Sequence, residues 1–287
     1  MRGVSLDDLG CTFCQVLATG LPTAEYVEMA RSATTFGPVR QHWLVDRLLL
    51  LAEVAPLNAG HVLLIPDLHI LAAALLSAAE TIRFDQICRA VGLRLTERFG
   101  QDSYLTFEHG TGRTGALLPR RVKCAPTEHA HVHILPNSVG PEVLDLLDRY
   151  TRADGYTGSP FDPADWTTRR SALEKQGSSY HSFTVGTREG ERGLLFLPPD
   201  GALPSQYFRR FVARYAQGSP ETFSVRSDWR DEVVFADGAV LHDIAETALF
   251  LEAGEWQENP SALGNPGATR QSDANRTSTL TPTHGHE

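Results

Sequence analysis

The stretch His129-Ala130-His131-Val132-His133-Ile134-Leu135 alternates histidine with apolar residues through three cycles. A period of two belongs to a β-strand, where successive side chains point to opposite faces. His129, His131 and His133 then share one face, and Ala130, Val132 and Ile134 the other. Neighbours two apart on a strand lie roughly 6.6 Å apart at the backbone, and the ends of the trio about 13 Å apart. Two alternate histidines can share one metal ion; three on a straight strand cannot easily do so. The spacing predicts a division of labour, with one or two positions binding something and at least one left for chemistry. A neutral imidazole, with an ordinary pKa near 6.5, suits nucleophilic work near neutrality. An incidental histidine-rich strand or a surface metal trap fits the trio equally well when it is taken alone.

Outward from the trio, the strand is expected over residues 128–135. Upstream, 104–108 is strand-like and 109–119, rich in Gly, Thr and Arg, reads as a loop. Residues 70–98 carry Leu, Ala and Ile at helical spacing, with Glu80, Arg83, Asp85 and Arg89 on other faces; this is the strongest helix signal in the chain. Before it, the apolar stretch 43–55, turn residues 56–60 and the short buried pattern 61–66 ended by Pro66 predict a hairpin of two strands. Downstream, short helices are expected at 141–150, 205–216 and 242–252, and a hairpin at 182–197 around 188–191. Residues 151–168 read as a connector. From residue 257 on there are almost no apolar residues, so disorder is expected there. The whole reads as α+β.

Bulk properties narrow the function classes. The 287 residues carry a formal net charge of -9, which argues against a general nucleic-acid or anionic-membrane surface but leaves room for a small basic phosphate pocket. Four cysteines are too few for a disulfide framework in a chain this long, and the pair Cys11-Thr12-Phe13-Cys14 points to metal or redox work in a reducing compartment. The N-terminal residues carry acids where a signal peptide needs bases, and the longest apolar run, 48–55, contains Glu53 and is too short for a bilayer. The expected location is cytoplasmic, with no membrane partner.

Three motifs in one order carry a resemblance: Cys11-x-x-Cys14; Pro56-x-x-x-Gly60-His61 followed by Pro66 and His69; and the trio itself, with the long helix between the second and third. Over roughly residues 8–140 the chain resembles the histidine-triad superfamily of nucleotide hydrolases and transferases, as a larger member with an extra C-terminal region. The resemblance implies an antiparallel sheet of about five strands with the 70–98 helix packed on one face. The implied organisation is a catalytic domain at 1–140, a mixed C-terminal region at 141–256 capping the cleft, and a disordered tail at 257–287. His131 would be the nucleophile on the α-phosphate of a nucleotide and His133 would hydrogen-bond the bridging or leaving oxygen. Cys11, Cys14, His69 and His129 would hold a structural zinc ion. Glu53, in the strand before the turn, would hold the ribose; an outward-facing glutamate is the alternative. The implied reaction is hydrolysis of a nucleoside phosphate derivative, such as a dinucleoside polyphosphate or phosphoramidate, through a nucleotidyl-histidine. Transfer to phosphate or a sugar phosphate, and a nucleotide-binding protein without activity, are the alternatives. The partner is a nucleotide, with adenine the superfamily's usual base; a homodimer is one open assembly.

Some residues depart from the pattern. Where a phosphate-binding serine usually precedes the triad, this chain has Pro126, which can donate no hydrogen bond. The usual Asn of the preceding strand corresponds to Glu108 or His109, and Glu108 is the expected nucleotide contact. Phosphate contacts are expected from Arg113, Arg120, Arg121 and Lys123, or from Gln206 and Arg209 in the C-terminal half; an ordinary solvated loop and helix surface are the plain alternatives. Cys124 reads as a loop thiol.

Overall fold

The computed structural model describes residues 11, 13–14, 17, 42–53, 56–112, 129–197, 203, 206–215 and 238–254. The basic loop with Arg113, Arg120, Arg121, Lys123, Cys124 and Pro126 lies outside the described residues, as do Trp229, Arg230 and the tail with His284 and His286.

The fold is α+β. Eight strands form one antiparallel sheet: β1 (His42–Val45), β2 (Leu48–Ala52), β3 (Val62–Pro66), β4 (Ser103–Gly110), β5 (Val132–Asn137), β6 (Ser159–Phe161), β7 (Tyr180–Gly186) and β8 (Glu191–Phe196). Their order across the sheet is β1-β2-β3-β5-β4-β7-β8-β6. The expected five strands become eight for two reasons. The apolar stretch 43–55 is two strands, not one, because Asp46 and Arg47 turn the chain with φ of 44° and 68°. Two positive-φ residues in a two-residue loop match the twist of a hairpin, and the absence of glycine there hid the turn. Second, β7 pairs with β4 along its whole length, so the C-terminal half continues the sheet.

Among the described residues five helices pack on this sheet. The long one, α1 (Ala78–Phe99), begins later than the periodicity predicts, because 73–75 is a separate 3-10 turn. Ser77 caps it: its hydroxyl accepts from the Glu80 amide while Glu80 reaches back to the Ser77 amide. Gly100, in the left-handed region, ends it. Phe84, Cys88, Val91 and Leu95, at helical spacing, bury against Leu50, Leu64, Tyr104, Val132 and Ile134. These strand residues are the apolar face of the alternation, so α1 covers the face opposite the histidines.

The other face meets α2 (Val143–Ala153) and α4 (Tyr207–Tyr215), whose Val143, Leu147, Phe208, Phe211 and Val212 pack on Leu105, Phe107, Leu135, Phe183 and Val185. Helix α5 (Gly238–Ala253) returns to the first half of the chain, where Phe250 and Leu251 join the α1 core. Among the described residues no helix is long and apolar enough to cross a membrane.

Helix α3 (Trp166–Gln176) is absent from the sequence reading, which ran a connector to residue 168. Its buried positions are Trp166, Arg170 and Leu173, at i, i+4 and i+7, so an arginine occupies the central slot of the apolar stripe. The Arg170 guanidinium lies 4.8 Å over the Trp166 ring and 5.5 Å over Phe84, and donates to Asp85 at 2.8 Å. Removing one partner of a buried pair strands the other. Arg170→Ala is expected to cost about 2–4 kcal/mol in urea unfolding, somewhat less than a fully buried pair would because Asp85 is a third exposed. A loss under about 1 kcal/mol would show that Arg170 ties α3 to α1 only weakly.

Candidate active site

The histidine strand starts later than expected. Strand β5 begins at Val132, and His129 to His131 lead into it. Strand β5 lies inside the sheet, between β3 and β4, so the trio is set in the middle of a covered face. His129, His131 and His133 are all buried.

His129 turns toward the N-terminal cysteines. Its Nε2–H donates to the Pro66 carbonyl at 2.9 Å, which places the lone pair on Nδ1. That Nδ1 lies 3.5 Å from the Sγ of both Cys11 and Cys14, and the Cys14 Sγ lies 3.1 Å from Nδ1 of His69. The four donor atoms fall within 4.8 Å of one another. Two sulfurs and two imidazole nitrogens at these separations fit a tetrahedral metal site. Phe13, between the two cysteines, is buried with its ring centroid 5.8 Å from His129 and 5.4 Å from His131. The same segment therefore carries two donors that could hold a metal ion and a wall beside the middle histidine.

His131 has a determined tautomer. Its Nδ1 lies 2.9 Å from the His129 carbonyl oxygen, which can only accept, so Nδ1 carries the proton and Nε2 the lone pair. Burial holds its pKa below the ordinary value, opposed by the His129 carbonyl and the Glu53 charge.

His133 has the opposite tautomer. The Leu57 amide donates to Nδ1 of His61 at 3.1 Å, so His61 carries its proton on Nε2. That Nε2–H donates to Nδ1 of His133 at 3.0 Å, leaving the His133 proton on Nε2. The Phe107 ring stacks on His133 at 4.4 Å and 19° and fixes its plane. Burial pushes both imidazoles well below the ordinary histidine range. His61 belongs to the Gly60-His61 turn quoted above, although no role had been attached to it. Gly60 has φ of 90°, and a Cβ there would meet Phe99 at 2.7 Å. Its amide donates to Thr247 on α5 at 2.8 Å, so the turn is held from both sides.

Glu53, at the end of β2, is buried, with Oε2 3.7 Å from Nδ1 of His133 and 3.5 Å from Nη1 of Arg209. Arg209, from α4, is itself buried. The structure thus brings together Glu53 and Arg209 from opposite halves of the chain. Glu53, His61 and His133 also have donor atoms close enough for a metal, but the Arg209 cation beside the carboxylate and the His61–His133 hydrogen bond account for that cluster without one. Gln206 precedes α4 with φ of 63°, and its buried Oε1 has no hydrogen-bond partner among the described residues. His242 is exposed and takes no part.

Glu108 is a correction. It points to the α1 face, away from the triad, where its carboxylate accepts from the Tyr180 hydroxyl and the Ala73 amide, both at 2.7 Å. The pleat of β4 alternates strictly, so His109 and Phe107, not Glu108, share the face of His133. His109 and His181 pair across β4 and β7 on that face. By sequence Glu108 and His109 are alternatives for that position, and nothing in the sequence marks His181.

No family model matches this chain, and no curated protein matches it. Solved structures similar to it include histidine-triad proteins. A Hit-like protein involved in cell-cycle regulation from Bartonella henselae is 16% identical at TM-score 0.30, over 47% of this chain and 84% of its own. A hypothetical histidine triad nucleotide-binding protein from Sulfolobus tokodaii is 20% identical at TM-score 0.31, over 45% and 70%. A member of the HIT family from Bacillus subtilis is 18% identical at TM-score 0.29, over 50% and 95%. At TM-scores near 0.3 these likenesses carry no argument, and the functional reading rests on the side chains just described.

Proposed function

We propose that this chain hydrolyses a nucleoside phosphate derivative at the α-phosphate through a covalent nucleotidyl-histidine on His131. The observation that carries the reading is the hydrogen bond from His131 Nδ1–H to the His129 carbonyl, which puts a neutral lone pair on Nε2. In the first step that lone pair attacks phosphorus, the bond from phosphorus to the leaving oxygen or nitrogen breaks, and the leaving group departs with the electron pair. His133 Nε2–H, oriented by His61, donates to the leaving atom. In the second step water attacks phosphorus and releases a proton to solvent, the P–N bond breaks, and the electron pair returns to Nε2 of His131. Glu53 is assigned the ribose hydroxyls, with Arg209 balancing its charge, and Arg209 and Gln206 bring the C-terminal half to the phosphate side. An adenine nucleotide is the first substrate to try. Acid-free quench and mass spectrometry after mixing with diadenosine tetraphosphate or an adenosine phosphoramidate should show a nucleotidyl adduct on His131. An adduct on another residue, or turnover without one, would overturn this mechanism. Added inorganic phosphate diverts product to a nucleoside diphosphate if transfer is the true reaction.

The Cys11, Cys14, His69 and His129 set is assigned a structural zinc ion, whose closed N2S2 shell leaves no position for substrate. The ion would hold Phe13 against His131. The purified chain is expected to carry one zinc, and Cys14→Ser to lose it together with about 3 kcal/mol of stability, the linkage expected of a ligand present at a few hundred times its Kd. A zinc-free wild-type chain of unchanged stability would refute the assignment.

A further inference from the structure

We propose that His109 is a second neutral imidazole donor of this site, binding a non-bridging oxygen of the phosphoryl group at His131 through Nε2–H, with His181 as the residue that positions it. The inference rests on the hydrolase reading for its substrate, but the geometry behind it is separate.

The Leu203 amide donates to Nε2 of His181 at 3.0 Å. A neutral His181 must then carry its proton on Nδ1, which lies 2.9 Å from Nδ1 of His109. His109 accepts there, so its own proton is on Nε2. This chain of amide, imidazole and imidazole repeats the one running from Leu57 through His61 to His133. Each relay starts at a backbone N–H, passes through a wholly buried histidine, and ends in an imidazole that presents Nε2–H. His61 and His181 are both 0% exposed, whereas His109 keeps 8% of its surface. The second relay therefore opens outward at His109.

Register places that end beside the nucleophile. Phe107 pairs with His133 in the β4–β5 ladder, and the next residues on the same face are His109 on one strand and His131 on the other. The ladder itself ends at Phe107 and His133; carried one further row on that face it would set His109 opposite His131. Electrostatics agree: the His131 charge adds to burial in depressing His109, to about 3, and His109 in turn weighs on His133. An imidazole that stays neutral donates a hydrogen bond without adding a charge for the nucleotide's leaving group to escape from.

Plain packing does not account for this pair. One row along the same strands, Phe107 and Phe183 stack at 5.9 Å and 6° and fill the face with carbon. Two buried imidazoles in the next row cost free energy unless each polar atom is used.

The test has two arms. Long-range 1H–15N spectra of wild-type histidines at pH 7.5 should show the Nε2–H tautomer for His109 and Nδ1–H for His181, and adenosine monophosphate should shift the His109 Nε2 resonance. An Nδ1–H tautomer for His109, or no shift at saturating nucleotide, overturns the proposal without any variant. In the second arm, His109→Leu is expected to lose about 10²-fold in kcat/KM, the loss typical of one preorganised donor, while His109→Gln, which restores an N–H, keeps most of it. His181→Phe should reduce kcat and convert His109 to a tautomer mixture in the same spectra. His109→Leu with wild-type kcat/KM would sink the proposal. Full activity in His131→Asn would instead sink the nucleophile assignment, a separate result.

Discussion

His131→Asn is expected to abolish turnover, with kcat down by at least about 10⁴-fold and KM changed little. Asparagine is a severe test because its amide N–H can still donate to the His129 carbonyl, as Nδ1 of His131 does at 2.9 Å. The variant keeps the local fold and loses only the second ring nitrogen, the atom assigned to attack phosphorus. Binding contacts from Glu53, Arg209 and His133 remain, so nucleotide affinity should survive. The nucleotidyl adduct should vanish from quenched samples at the same time. If the variant retained even a tenth of wild-type kcat, with no adduct in either protein, the reaction would run by direct attack of water and the relay would be orienting water.

Acidification is expected to unfold the protein between about pH 5 and 4, well above where carboxylate protonation alone would do so. His61, His133, His109 and His181 are buried, and each is held well below the ordinary histidine pKa, chiefly by burial. The sign follows from proton binding. Above about pH 6.5 these groups are neutral in both states and contribute no pH dependence. Below it, the unfolded chain takes up protons that the native chain refuses, so stability falls as pH falls toward the native pKa values. Each histidine contributes about 1.4 kcal/mol per pH unit in that window. Acting together, they are expected to remove a large share of the stability of an ordinary domain as the pH falls through that window. The groups facing them are the Arg209 guanidinium, which adds to the effect at His61 and His133, and the neighbouring imidazoles, which add to it at His133, His109 and His181; the Glu53 carboxylate lies 3.7 Å from His133. Urea midpoints between pH 7.5 and 4.5 check this. A flat profile to pH 5 would mean that the relays accept protons in the native state.

Local patterns made part of the architecture legible. Period two marked the histidine strand, although only its part from Val132 on is strand, period 3.6 marked α1, and Pro56 to Gly60 marked a turn. The cysteine pair was readable as a metal or redox pair, and the structure gathers Cys11, Cys14, His69 and His129 into a group that could hold a metal ion. Other features were hidden by local chemistry that looks like something else. Asp46-Arg47 is a hairpin turn without glycine, and Arg170 sits in the apolar slot of α3. On β4 the choice between Glu108 and His109 hung on one residue of register, and a shift of one moves a side chain to the other face.

What residues 129–135 determined alone was alternation, and with it one face for three histidines and the conclusion that they divide their work. How they divide it was decided only by tertiary contacts. His129 is turned by Pro66, His131 by its neighbour's carbonyl, and His133 by His61, 72 residues away, which takes its direction from the Leu57 amide. A histidine's chemistry depends on which ring nitrogen holds the proton. That proton is placed by whatever donor or acceptor the fold brings within about 3 Å. Residue order shows that an imidazole is present; the packed structure places the partners that set which of its nitrogens donates and which accepts.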